Sequence, residues 1–370
     1  MRSKGITHLS GKLYYYDRAF DDQWTCPSWS NDYITEWYAA PISGLNLNNN
    51  CVSISVNPTS PGQLVTYKVV PPTAGVKVIN KCVTSRPSRE ENEPDVTRLE
   101  KENTFTILGA TTKPVDIKGE AVTDPGAFFA DALRTTLAAK GISIDGKTVR
   151  ADKPLDGNLE PPKEKIVATH ESKISDCLNR INKQSQNNFA DGFCKLLGRG
   201  YLQQQGKSDP GSFAAGSNAV KAFCKKNNID ASKLVIVDVS GLSRQDKVTT
   251  RLISDIFVTM YKHPAHQTFF DSLGTSGTDG TIDKRMKDLK GRVHAKTGFI
   301  GGVRSLSGYV QNDDGHYIVF SIIFNGIDGS VKPFEEMQDN ACRVLAAWPK
   351  RIDPPASTQP ATRSVARAGQ

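Results

Sequence analysis

The chain has 370 residues, 38% of them apolar, which is enough for two or three domains with ordinary cores. No window approaches eighteen consecutive apolar residues, which argues against a membrane-spanning helix. The basic N-terminus lacks the apolar stretch that follows in a secretory signal peptide. The formal net charge of +8 suits anionic partners, but the basic residues are spread out without interleaved aromatic residues. We therefore expect no nucleic-acid binding.

The seven cysteines contain no C-x-x-C pair. This spacing argues against a zinc ribbon or a thioredoxin-type site, and nothing else in the sequence indicates a metal or another cofactor. We expect buried thiols with at most one or two disulfides, and the odd number leaves at least one cysteine unpaired.

Residues 1–115 are predicted to be rich in β-structure. Alternating or β-branched runs are separated by clusters of Pro, Gly and Asn that suit turns. These runs lie at residues 51–56, 64–70, 76–79 and 104–108. The charged stretch 86–102 is interpreted as a solvated loop or edge.

Helices are predicted after about residue 120. Asp124 followed by Pro125 is typical of a helix start, and Gly141 of its end. Apolar spacing predicts a second helix near residues 170–183 and a third directly afterwards, with Gly198 as its stop.

The last third of the chain begins with a predicted buried strand at residues 234–237 and a helix after it. Three strands in a row, which a turn at residues 312–315 makes antiparallel neighbours, precede a final helix. These strands are predicted at residues 292–297, 303–310 and 317–324, and the helix at 334–348. Residues 353–370 have no periodicity and are predicted to be disordered.

A strand that ends in Lys-Thr-Gly suits a peptide ligand with a C-terminal carboxylate. Lys296 supplies a positive charge, Thr297 a hydroxyl donor, and Gly298 lets a ligand backbone lie close to the strand. Such an edge binds its ligand by strand addition. The triplet alone is a modest signal, since it is expected by chance in roughly a tenth of chains this long.

A Ser-x-Asn motif at Ser185 and Asn187 precedes this strand by 111 residues. By itself it is weak, because Ser185 could be simply the N-cap of the next helix. The order matters more: Ser-x-Asn at a helix break, Lys-Thr-Gly on a strand, then an antiparallel meander and a C-terminal helix. Penicillin-binding proteins and serine β-lactamases have this order.

The chain resembles the D-alanyl-D-alanine carboxypeptidase/endopeptidases typified by penicillin-binding protein 4 (DacB). Residues 238–244 resemble the family's Asp-Gly-Ser-Gly-Leu-Ser-Arg segment, with Val239 in place of its glycine. Residues 277–281 resemble its Gly-x-Asp-Gly-Thr loop. Residues 39–41 and 45–50 resemble part of a β-rich insertion, so the likeness extends to about residue 350.

The resemblance implies an α/β (α+β) fold, with a transpeptidase-like antiparallel sheet flanked by helices and a β-rich inserted domain. The implied domains are the insertion at residues 1–115, the peptidase domain at 116–352 and the tail at 353–370. The implied activity is a serine-type carboxypeptidase or endopeptidase acting on peptidoglycan stem peptides and binding β-lactams.

The resemblance also implies roles for single residues. Ser185 would transfer protons, Asn187 would donate its amide to the substrate backbone, and Lys296 with Thr297 would hold the terminal carboxylate. Gly298 would give the substrate room, and the backbone N–H of Phe299 would be one of two oxyanion-hole donors.

The family's nucleophile motif, Ser-x-x-Lys, is absent: no serine in the chain has a lysine three positions later. By the resemblance the chain begins inside the β-rich insertion, so the nucleophile segment would precede residue 1. Without that serine and lysine no acyl-enzyme forms by the family's route. We therefore expect this chain to be inactive by itself.

Two other functions would use the same motifs. A non-catalytic peptidoglycan-binding or scaffold protein would keep the Lys296 strand without acylation. A β-lactamase-like hydrolase is disfavoured by the β-rich region and by the lack of a deacylating carboxylate motif. The family works outside the cytoplasmic membrane, which implies the periplasm or cell envelope, and the sequence gives no oligomeric state.

Overall fold

The computed structural model describes residues 5–33, 35–86, 93–99, 101–152 and 167–348. The chain divides into two compact units, Met1–Ser272 and Leu273–Gln370. The domain boundary predicted between residues 115 and 116 falls inside the first unit and stays a prediction. The tail predicted at 353–370 lies outside the described residues.

The first unit contains a β-rich region built from short sheets. Its strands are β1 (His8–Leu9), β2 (Leu13–Tyr15), β3 (Cys51–Asn57), β4 (Thr66–Val70), β5 (Lys77–Asn80), β6 (Val83–Thr84), β7 (Asp95–Arg98), β8 (Thr104–Leu108), β9 (Ala110–Thr111), β10 (Val115–Ala121), β11 (Ser143–Ile144) and β12 (Thr148–Arg150). Two three-stranded sheets have the orders β10-β3-β4 and β5-β8-β7. Parallel pairs join β1 to β11, β2 to β12 and β6 to β9.

Alternation of side chains explains the core of this region. Val52, Ile54 and Val56 on β3 and Phe105 and Ile107 on β8 are all buried in one cluster. The four predicted strands appear as β3, β4, β5 and β8. The charged stretch 86–102, interpreted as a solvated loop or edge, contains β7, which is the edge strand of its sheet and has alternate residues buried.

Six helices lie between or after these strands in the described part of the first unit. They are α1 (Pro125–Ala139), α2 (Ile174–Asn182), α3 (Asn187–Gln204), α4 (Phe213–Lys226), α5 (Thr250–Tyr261) and α6 (His266–Ser272). Asp124 caps α1 as predicted, since its side chain accepts a hydrogen bond from the Ala127 N–H at 2.9 Å. No helix among the described residues is long and apolar enough to cross a bilayer.

Gly198 lies within α3 and does not end it, contrary to the prediction. Its missing side chain instead allows close packing against α4. A Cβ at Gly198 would lie 2.6 Å from the Gly216 nitrogen and 2.9 Å from the Ala215 Cβ on α4. The two helices approach too closely there for any other residue.

The buried strand predicted at residues 234–237 is also wrong. The segment is a loop with a single bridge between Val235 and Lys247. Its Val237 N–H donates to the Asp246 carboxylate at 2.7 Å. A side chain thus accepts the hydrogen bond that a neighbouring strand would accept in the sheet suggested by the apolar sequence.

The second unit is an antiparallel sheet with one helix on its face. Its elements are β13 (Gly274–Thr275), β14 (Val293–Ile300), β15 (Val303–Gln311), β16 (Tyr317–Asn325) and α7 (Lys332–Ala346), with the strands in that order across the sheet. Val293, Ala295 and Leu306 pack in a core with Cys342 and Ala346 of α7. The predicted meander and final helix are confirmed.

The seven cysteines are all free thiols, and six of them are buried. The expectation of buried thiols is confirmed, and none of the seven cysteines forms one of the disulfides that the expectation allowed.

Candidate active site

The Lys-Thr-Gly motif lies on β14 at a sheet edge that is open for part of its length. The short strand β13 pairs only with Ala295 and His294. From Lys296 to Ile300 no strand pairs with this edge among the described residues. Unpaired backbone groups on an edge strand are available to an added strand.

Lys296 lies on the sheet face opposite the α7 core, because side chains alternate along β14 and its neighbour Ala295 is buried in that core. The Lys296 Nζ donates to the Thr297 carbonyl at 2.7 Å. Burial lowers the pKa of the Lys296 ammonium from 10.5 to about 8. The group is thus still mostly charged at pH 7, in surroundings that hydrate it poorly.

Gly298 faces the same side as Lys296 and pairs with Ser305 on β15. A Cβ at this position would clash with the Ser305 hydroxyl, so the absence of a side chain makes room for that hydroxyl. Phe299 beside it is 71% exposed, and the Arg304 guanidinium stacks over its ring at 3.6 Å from the centroid.

The loop before β14 supports the motif from the same unit. The Thr297 hydroxyl donates to the Thr281 hydroxyl at 2.8 Å. The loop turns through Gly277 at φ +62° and is held by Asp279, whose carboxylate accepts from the Thr275 N–H at 2.9 Å. Residues 277–281, singled out by the resemblance, therefore position a partner for Thr297.

The Ser-x-Asn motif lies at the break between α2 and α3 in the first unit. Ser185 has a left-handed backbone at φ +54°, a conformation that costs about 1–3 kcal/mol outside glycine. The N-cap of α3 is Gln186, so the alternative interpretation of Ser185 as that cap was wrong. The Asn187 amide donates to the Tyr38 carbonyl at 2.9 Å, which ties the motif to the 3₁₀ turn Trp37–Ala39.

One buried carboxylate near this motif was missed by the sequence reasoning. Asp191, one turn after Asn187 on α3, accepts from the Val239 and Ser240 N–H groups at 2.8 and 2.9 Å. Burial, and then the nearby Asp238 carboxylate, raise the pKa of Asp191 to about 7. The available signal was its spacing of four from Asn187, which places both on one helix face.

Asp238, the first residue of the loop 238–244, also holds this loop with its carboxylate. Its carboxylate accepts from the Gly241 and Ser243 N–H groups, each at 2.7 Å, and from the Trp29 indole N–H at 2.7 Å. Residues 238–244 are thus a loop fixed by two carboxylates. Val239, where the family has glycine, is exposed and donates only its backbone N–H to Asp191.

The predicted site residues therefore fall into two groups, each described within its own unit. Lys296, Thr297, Gly298 and Phe299 are consecutive on β14, and Ser185 and Asn187 share one helix break. Within the described residues, no cluster of three or more His, Cys, Asp or Glu side chains could hold a metal ion.

Comparison with known proteins gives a consistent match. The model of the D-Ala-D-Ala carboxypeptidase 3 (S13) family matches residues 1–346. D-alanyl-D-alanine carboxypeptidase DacB of Haemophilus influenzae is 26% identical over 339 residues, which cover 88% of this chain and 67% of that protein. A D-alanyl-D-alanine carboxypeptidase of Actinomadura sp. strain R39 is 27% identical over 344 residues, covering 88% of this chain and 62% of that protein. The chain thus spans 62–67% of the length of these two relatives.

The fold also matches a solved structure. The crystal structure of penicillin-binding protein 4 (dacB) from Haemophilus influenzae superposes with a TM-score of 0.72 at 24% identity, covering 93% of this chain and 77% of that one. A second structure of that protein, complexed with a β-lactam, gives 0.67 at 22% identity and covers 92% and 82%. The fold class and the resemblance predicted from the sequence are confirmed.

Proposed function

Because the chain belongs to the D-Ala-D-Ala carboxypeptidase 3 (S13) family, we propose that it binds peptides ending in D-Ala-D-Ala, such as peptidoglycan stem peptides. The observation that carries this proposal is the Lys296 ammonium beside the open edge of β14. A half-buried ammonium gains more from a ligand carboxylate than an exposed one, since less water competes for it.

In this proposal the two groups of residues have the roles that the resemblance implies. Lys296 and Thr297 hold the terminal carboxylate, Gly298 gives the ligand backbone room, and the Phe299 N–H supports the oxyanion. Asn187 donates to the ligand backbone. Ser185 would transfer protons in serine-type carboxypeptidase or endopeptidase chemistry once a nucleophile is supplied. Asn187 would have to exchange the Tyr38 carbonyl for the ligand or bind both.

We further propose that residues 1–370 bind such peptides without cleaving them. Among these residues no serine is followed by a lysine three positions later, so the activated nucleophile of the family is not supplied. β-Lactams, which the Haemophilus protein was crystallised with, are proposed as further ligands of the same strand. The proposed location is the periplasm or cell envelope, where the peptidoglycan lies.

A non-catalytic peptidoglycan-binding or scaffold protein is the second candidate, favoured by the same lack of Ser-x-x-Lys. The two candidates share the peptide-binding strand and differ in acylation. Neither candidate acylates residues 1–370, so penicillin labelling separates them only when a Ser-x-x-Lys segment is joined to these residues, whereas peptide binding tests both.

The proposed binding is tested by calorimetric titration with diacetyl-Lys-D-Ala-D-Ala and with the same peptide as its C-terminal amide. A charge-assisted hydrogen bond contributes about 1.5–3 kcal/mol, so the acid should bind roughly tenfold to a hundredfold more tightly than the amide. Lys296→Ala should abolish this preference. The matched control Lys290→Ala, at an exposed lysine of the same unit, should keep it. Equal binding of acid and amide by the unaltered chain would refute the proposal.

A further inference from the structure

A small cavity opens in the first unit beside the turn that Asn187 holds. Its volume is about 280 Å³, close to the lower end of the roughly 300–1,000 Å³ usual for small-molecule sites. The cavity is lined by Trp37, Asn48, Asn49, Cys51, Ser53 and Gly119. None of these side chains is ionised at neutral pH, because the buried Cys51 thiol has its pKa raised to about 12. The lining therefore suits an uncharged polar ligand.

Trp37 gives this cavity an aromatic wall. Its side chain is 45% exposed, a large indole area to leave in water. A Cβ at Gly119 would lie 2.8 Å from the Trp37 Cβ and 3.1 Å from its Cγ, so the glycine lets the residue lie against the backbone. Gly119 has φ +89° within an irregularity of β10, a conformation that favours glycine. The irregularity and the glycine together make room for the Trp37 side chain.

Asn48 and Asn49 of the lining belong to a strained turn of three asparagines. Asn48, Asn49 and Asn50 all have left-handed backbones, at φ +50°, +55° and +56°, which costs about 1–3 kcal/mol each. The Asn48 amide donates to the Cys51 carbonyl at 2.8 Å, and the Asn50 amide to the Pro41 carbonyl at 2.7 Å. These bonds hold the turn in place before any ligand binds.

Two polar groups of the lining remain available. The Asn49 amide and the Ser53 hydroxyl have no hydrogen-bond partner among the described residues. An amide donates and accepts, and a hydroxyl does both. An amide, a hydroxyl and an aromatic side chain that line one cavity match a ring that has hydroxyl and acetamido groups on its rim and C–H groups on its face.

The cavity adjoins the Ser-x-Asn motif. Trp37 directly precedes Tyr38, whose carbonyl accepts from the Asn187 amide. We propose that the cavity between Trp37 and the Asn48–Asn50 turn binds one neutral N-acetylated sugar ring of the glycan strand that carries the stem peptide. This inference rests on the proposed function, because it takes the ligand of Asn187 to be part of peptidoglycan.

The test uses N,N′-diacetylchitobiose, a neutral N-acetylated disaccharide without peptide, titrated calorimetrically into the whole chain. The unaltered chain should show saturable binding, and cellobiose, which lacks the acetamido groups, should bind at least tenfold more weakly. Trp37→Ala should weaken chitobiose binding at least tenfold. Trp348→Ala, at another exposed tryptophan in the second unit, should leave binding unchanged.

A second variant separates recognition from folding. Asn49→Gly keeps the left-handed backbone without strain and removes the amide, so it should weaken chitobiose binding several-fold at a thermal midpoint no lower than that of the unaltered chain. Absence of saturable binding, or unaltered binding by both Trp37→Ala and Asn49→Gly, overturns the inference. If the chain binds chitobiose but fails to distinguish peptide acid from amide, the proposed peptide function fails separately. If the chain distinguishes peptide acid from amide but does not bind chitobiose, only the sugar site is refuted.

Discussion

Replacement of Gly298 by alanine tests the geometry of the β14 edge in two independent ways. The new methyl would clash with the Ser305 hydroxyl oxygen but lie 3.5 Å from the Ser305 Cβ, an ordinary contact. The clash is therefore relieved by rotation of one hydroxyl, at about 0.5–1.5 kcal/mol if the new position is strained. Alanine in place of a strand glycine raises the free energy of unfolding by about 0.5–1 kcal/mol.

Gly298→Ala alone should consequently change the free energy of unfolding by less than about 1 kcal/mol. In a Ser305→Ala background the clash is absent, and Gly298→Ala should stabilise the chain by about 0.5–1 kcal/mol. The two substitutions should thus be coupled by about 0.5–1.5 kcal/mol, a range that a double-mutant cycle resolves.

The assay is urea unfolding of the four proteins, combined with titration of diacetyl-Lys-D-Ala-D-Ala. The methyl faces the same side as Lys296, so both proteins with the Gly298→Ala substitution should bind the peptide at least tenfold more weakly, whatever their stability. Additive effects on stability would refute the clash. Peptide binding by Gly298→Ala/Ser305→Ala at the level of the Ser305→Ala protein would refute the need for a glycine at the edge.

Three further predictions concern the buried charges and the missing nucleophile. The pKa of Asp191 is raised from 3.8 to about 7, so the folded state binds more protons than the unfolded state between these values and stability falls as pH rises from 4 to 7. Asp191→Asn, which keeps an oxygen acceptor, should reduce the fall in thermal midpoint between pH 4 and 7. An unchanged dependence of the midpoint on pH would contradict the burial of that charge. Lys195 is fully buried and donates to the Asp21 carboxylate at 2.7 Å and to the Gln23 carbonyl at 2.6 Å. Lys195→Met should cost about 3–5 kcal/mol in urea unfolding, and a loss below about 1 kcal/mol would show that the pair is dispensable. Incubation of residues 1–370 with fluorescent penicillin should leave the intact mass unchanged, and a covalent adduct would reveal a nucleophile other than Ser-x-x-Lys.

The second unit could be predicted from the sequence almost completely. Strands β14 to β16 are joined by short connections, and buried residues alternate with partly buried ones at the start of β14. Local patterns therefore determine the meander, and with it the position of Lys296 on a strand. The lowered pKa of Lys296 could not be predicted, because it depends on burial of the side chain.

Features of the first unit that depend on contacts between distant residues were missed. Gly198 had the properties of a helix stop, but the close approach of α4 gives it a packing role within α3. The loop 238–244 was recognised by resemblance, yet its fixation by Asp191 is a contact across 48 residues of chain. The left-handed backbone of Ser185 likewise has no signal in the neighbouring residues.

The claim that Lys296 binds a ligand carboxylate is tested most directly by NMR of its side chain. The ¹³Cε shift of Lys296, assigned with a Lys296→Arg variant, would be followed against pH with and without saturating diacetyl-Lys-D-Ala-D-Ala. In the free chain the midpoint should lie near 8, since burial lowers the pKa. The peptide acid should raise the midpoint because a nearby carboxylate favours the ammonium, and the amide should not. A midpoint at the ordinary lysine value that neither peptide changes would contradict the account.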